Sequence, residues 1–218
     1  MVRGRLEKYT NLARPERVKS RSNHREAPFR KRPVFMTDFF STNAGKFASL
    51  AKQHLDGALY LDEGQREKGK IVRLPTLALT GHGLELMLKA CICLNGQSSP
   101  AKGSDGHDIV KMWSEEVCEP VRGNVFLNAS SVAETDRTTG VYPDPIDGHE
   151  VLPLIEEYIL ALGKLHGERG YPLRYPSDDG KLAPNTPLLV KSLWRTADVL
   201  VKRPNDFKLS HFRGQFAQ

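Results

Sequence analysis

The chain has 218 residues, 39% hydrophobic and 27% charged, enough apolar material for one sizeable core in an ordinary globular composition. At 8% aromatic it is poorly supplied for an aromatic-lined sugar groove or a base-stacking sheet. Its net charge of +6 is unevenly placed, because residues 1–33 carry eleven Lys/Arg against three Glu, a local +8 that leaves the rest at −2.

The basic segment has no sustained apolar period, and Pro15, Pro28 and Pro33 interrupt any helix. It cannot bury enough apolar area to offset its ordering entropy, so residues 1–35 are expected to form a disordered arm ahead of a single folded domain, 36–218. Arg17, Lys19, Arg21, Arg25, Arg30, Lys31 and Arg32 make it a candidate nucleic-acid arm, since clustered cations release counterions from phosphates. A solvated extension is the plain alternative. Met36, followed by Thr-Asp-Phe-Phe, would also be a sensible start for the folded part.

Phe47, Leu50, Ala51, His54, Leu55, Ala58 and Leu59 recur at three- and four-residue steps, which predicts a helix over about 42–63 with Ser41 or Thr42 as its cap. Pro75 suits the first turn of a second helix, 75–94, ending at Asn95-Gly96. A third helix is predicted over 107–117, with Asp108 in its first turn favoured by the helix dipole. Residues 119–148 show neither period and read as irregular, as do residues 166–184, including Arg174-Tyr175-Pro176. Helices over 150–165 and 187–202 complete an all-α, four- to five-helix antiparallel bundle. The longest nearly apolar stretch, Leu84–Leu94, is broken by Glu85 and Lys89 and is short of the ~20 residues that span a bilayer. No apolar run follows the basic N-terminus, as a secretory signal would require. Cys91, Cys93 and Cys118 form no C-x-x-C pair, so a disulfide framework or zinc ribbon is not expected and a reducing cytoplasm is.

The second helix carries the chemistry. In Gly81-His82-Gly83-Leu84-Glu85-Leu86-Met87-Leu88-Lys89, residues His82, Glu85 and Lys89 form one polar stripe on an apolar helix, and Glu before Lys is the favourable i, i+4 order. Two glycines inside a helix cost about 1 kcal/mol each. They make sense where another element approaches closely. Gly106-His107-Asp108 follows at the start of the third helix. One reading of His82, His107, Asp108 and a later Asp (Asp178, Asp179 or Asp198) is an HD-type metal phosphohydrolase, in which imidazoles and carboxylates hold a divalent ion and its water.

Taken together, "LAKQHLDGALYL", "LPTLALTGHGLELMLKACICLNG", "GHDIVKMW" and "YPLRYP" resemble the HEPN superfamily (higher eukaryotes and prokaryotes nucleotide-binding) over about residues 42–201. The resemblance implies a helical bundle that homodimerises, binds RNA or a nucleotide, and in active members is a metal-independent endoribonuclease of toxin–antitoxin or phage-defence systems. It also implies an antitoxin or nucleotidyltransferase partner, no cofactor and no membrane. The R-x(4–6)-H pair of active members has no copy in the body: Arg17 and His24 lie in the arm, Arg203 and His211 are interrupted by Pro204, and Arg195 has no His at that spacing. Without it the chain is either a non-catalytic binding or dimerisation module, or a protein in which other groups act. The substitutes are His107, Lys89 and Arg174, since attack by RNA's own 2′-hydroxyl needs a base and a cation over the phosphate. His82, Glu85, Asp108 and Tyr175 are then expected in a polar network around them.

Overall fold

The structure is a computed structural model describing residues 38–68, 72–100, 104–139, 146–167, 173, 184 and 186–216. The basic arm, with Arg17, Lys19, Arg21, Arg25, Arg30, Lys31 and Arg32, lies outside the described residues, as do Arg174, Tyr175, Asp178 and Asp179. Among the described residues the protein is all-α, without strands. Its helices are α1 (Asn43–Lys68), α2 (Arg73–Leu94), α3 (Ile109–Ser114), α4 (Glu119–Thr139), α5 (Val151–Gly167), α6 (Thr186–Lys202) and α7 (Leu209–Phe216).

Thr42 caps α1: its hydroxyl accepts from the Gly45 amide at 3.0 Å, satisfying a first-turn donor that has no partner within the helix. Helices α1 and α2 pack side by side, with Leu55 against Gly83 and Leu79 against Gly57. The rising number on one helix and the falling number on the other make the pair antiparallel. Helix α2 is buried all round rather than on one face, with Leu84, Glu85 and every residue from Met87 to Ile92 inside. It is long and apolar enough to cross a membrane, but here it is the central strut of a core that includes Leu55, Met87, Trp113, Ile155, Leu193 and Phe207.

Two predicted elements need correction. The segment 107–117 is not one helix. Ser104–His107 is a 3-10 turn, Asp108 is the N-cap of α3, and Glu115 is extended (φ −63°, ψ 138°) before a second 3-10 turn at Glu116–Cys118. The Arg122 side chain, donating to the carbonyls of Trp113 and Glu115, holds this break in place. Residues 119–139, read above as irregular, form the 21-residue helix α4. Its buried face is made of small residues at helical steps: Val121, Val125, Ala129, Val132 and Ala133. Pro120 is accommodated in its first turn, where no intrahelical N–H is needed. Glycine at 123 leaves room for the Phe212 ring of α7, with which a Cβ there would collide.

Helix α2 ends as predicted, at Asn95 and at Gly96 with φ +78°. Asn95 also fastens the C-terminal segment. Its Nδ2 donates to the carbonyls of Cys91 (2.9 Å) and Phe207 (3.1 Å), and its Oδ1 accepts from the Leu209 amide at 2.8 Å. Asn95→Ala would strip partners from two segments at once and should lower stability by about 1–3 kcal/mol in urea unfolding, with amide exchange rising first around residues 207–212.

Candidate functional site

Glu85 sits in the middle of α2, only 4% exposed. One carboxylate oxygen accepts from Lys89 Nζ, one turn on, at 2.6 Å. The other accepts from His166 Nε2 of α5 at 2.7 Å, and His107 Nδ1, from the turn before α3, reaches it at 3.1 Å. Burial by itself would raise the Glu85 pKa. Hydrogen bonds from His166, Lys89 and His107, together with the Lys89 charge, outweigh it and hold the pKa at about 2.

His82 extends the cluster on the side of α1. Its ring meets the His166 ring edge-on, centroids 4.7 Å apart, and lies 5.7 Å from the His54 ring. Three of the chain's seven histidines thus gather around one carboxylate, with His54 behind His82. The glycines explain how they fit. A Cβ on Gly81 would stand 2.7 Å from His166 Nδ1, and one on Gly83 would stand 2.5 Å from Leu55 Cγ. The close approach expected from the sequence is that of α5 on one side and α1 on the other.

Of the residues singled out from the sequence, Glu85, Lys89, His82 and His107 come together. Asp108 does not. Its Oδ1 accepts from the Lys111 amide at 2.9 Å, because an aspartate directly before a helix finds an unpaired amide nearer than any other donor. Asp198 is also elsewhere, paired with Lys202 at 2.7 Å on α6. The Arg203 and His211 side chains both face Asp206, at 3.4 and 3.6 Å. Lys89 is almost buried and engaged with Glu85, whereas the His107 side chain is 53% exposed. His107 is therefore the member of the cluster that solvent or a ligand reaches most readily.

The sequence pattern leaves His166 in the irregular connection 166–184 and marks His54 only as part of an amphipathic helix. A signal for His166 was present. Val151, Ile155, Ile159 and Leu162 set a buried face, and one further turn of that period lands on His166. Two surface grooves lie at the far end of α2, one lined by Asn95, Glu116 and Leu209, the other by Phe39, Cys93 and Lys208. Neither includes a histidine of the cluster. The three cysteines are free thiols, with Cys91 Sγ donating to the Val117 carbonyl at 3.2 Å.

Comparison with protein-family models, curated proteins and solved structures finds no match to this chain.

The Glu85 pKa lies below its unfolded value of 4.5, so the native state binds fewer protons. Its contribution to stability is full above about pH 4.5 and is lost as pH falls towards 2. The thermal midpoint should drop across that window, and Glu85→Gln should flatten the drop while costing about 3–5 kcal/mol at neutral pH, since it leaves Lys89 buried without its counter-charge. Gly81→Ala should destabilise by about 1–3 kcal/mol despite alanine's better helix propensity, because the new methyl meets the His166 ring. Chemical denaturation of each variant checks both.

Proposed function

We propose that this protein binds RNA or a nucleotide and performs metal-independent acid–base chemistry on a phosphoester, with His107 as the base. The observation that carries the reading is the pairing of a half-exposed imidazole with a buried, ionised carboxylate. Glu85 orients the ring through Nδ1, which leaves Nε2 directed away from the carboxylate. This is the arrangement by which a carboxylate fixes a histidine's tautomer and the orientation of its ring. On RNA, Nε2 would take the proton of a 2′-hydroxyl as the 2′-oxygen attacks phosphorus; the P–O5′ bond breaks, the departing 5′-oxygen takes a proton from water, and the products are a 2′,3′-cyclic phosphate and a 5′-hydroxyl. Lys89 supports the carboxylate, and Arg174 and the basic arm are the candidate partners of the phosphates. The HEPN resemblance agrees with this chemistry and extends the reading to a cytoplasmic homodimer of a toxin–antitoxin or phage-defence system.

One observation favours a second reading, a non-catalytic helical interaction module. Lys89, Glu85 and His166 are all nearly buried and bonded to one another, as a purely architectural network would be.

The full chain incubated with labelled RNA in EDTA separates the two. Under the first reading, cyclic-phosphate products appear, and His107→Ala reduces their rate about 10²-fold or more while its thermal midpoint stays close to that of the wild type. Absence of any product from the wild-type protein decides for the interaction module. RNA binding should also depend on the arm: removing residues 1–33, which carry +8, should weaken binding and flatten its salt dependence, with little change in thermal midpoint.

A further inference from the structure

We propose that His82, Glu85 and His166 form a binding site for a first-row divalent transition-metal ion, zinc foremost. A nitrogen of each imidazole and a carboxylate oxygen lie within 4.8 Å of one another. His82 and Glu85 are three residues apart on α2 and so share a face, while His166 enters from the last turn of α5. His107 Nδ1, 3.1 Å from the same Glu85 oxygen, stands on the solvent side outside this trio.

The donor set selects the class of ion. Two imidazoles with a single carboxylate suit zinc, cobalt and their neighbours, whereas magnesium and calcium prefer oxygen ligands throughout. Zinc–nitrogen bonds of about 2.0–2.1 Å in a tetrahedron bring donors to roughly 3.4 Å from each other, so His82 needs to close by about 1 Å while the His166–Glu85 contact, now 2.7 Å, opens to admit the ion. His82, which is partly exposed, can make most of that movement by side-chain rotation. His166 would give its Nε2 lone pair to the ion in place of its hydrogen bond to Glu85, with the ring proton carried on Nδ1. Lys89, bonded to the oxygen opposite His166, would hold the carboxylate from the outer side, the usual role of a residue behind a ligand. Gly81 lacks the Cβ that would otherwise intrude on the His166 ring, and that leaves this corner of the bundle free for the ring.

The inference stands apart from the phosphoester reading, since it requires donors and no substrate, and its readout is spectroscopic. Cobalt(II) titrated into the full chain should give one equivalent with visible d–d absorption of tetrahedral intensity, displaced by added zinc. His82→Ala should weaken cobalt binding about 10-fold or more, and zinc should raise the thermal midpoint of the wild type but not of this variant. His149→Ala and His211→Ala, which alter exposed histidines elsewhere, should bind as the wild type does. Absence of the visible bands overturns the proposal. So does a His82→Ala variant that binds cobalt with unchanged affinity, which would assign the ion to surface histidines.

Discussion

Glu85 is an ionised group inside the most buried helix of the bundle, and an uncompensated charge there would cost several kcal/mol. Compensation comes from three directions. Lys89 supplies a charge from the same helix, His166 a buried imidazole from α5, and His107 a partly exposed one from the turn ahead of α3. The carboxylate therefore ties together segments up to 81 residues apart. It also constrains what surrounds it: α5 must approach α2 closely enough for His166 to reach, and residue 81 must carry no side chain for that to happen.

The same constraint gives the cluster an inner and an outer part. Lys89 and His166 are enclosed and have no evident way to meet a large ligand. His107 shares their carboxylate but faces outwards. Placing one imidazole at the boundary between a low-dielectric interior and solvent, with its tautomer fixed from behind, is what acid–base chemistry requires. The two proposals share the Glu85 carboxylate and differ in the imidazoles they use: Nε2 of His107 in one, the nitrogens of His82 and His166 in the other. Each draws on the electrostatic balance that stabilises the fold.

Helix α4 shows how a reading from periodicity misses a helix. Its inner face is Val and Ala, separated by Ser, Asn and Thr with a proline at the start, so neither strong helix formers nor large apolar residues mark it. Small residues are favoured there because α6 packs close, near enough for Asn128 to bond Thr196 at 3.0 Å. The α3 region erred the other way. Apolar spacing suggested one continuous helix, but Arg122, a residue of the next helix, satisfies the carbonyls at the break and makes the interruption affordable. Local pattern alone contains neither fact.

What the sequence by itself determined is local. The apolar steps of α1, α2, α5 and α6, the Thr42 cap, the Asn95-Gly96 stop and the Glu85–Lys89 pair all follow from interactions within about four residues, where backbone geometry sets the distances. The confinement of excess positive charge to residues 1–33 is legible in the same way. The membership of the cluster was decided by tertiary structure. His166 and Glu85 meet only because the small side of α2 at Gly81 admits α5, and Asp108 is lost to the cluster because a nearer amide claims it. Which side chains share a site depends on how helix faces pack, and packing is settled by shape complementarity across the whole core rather than by any single stretch of chain.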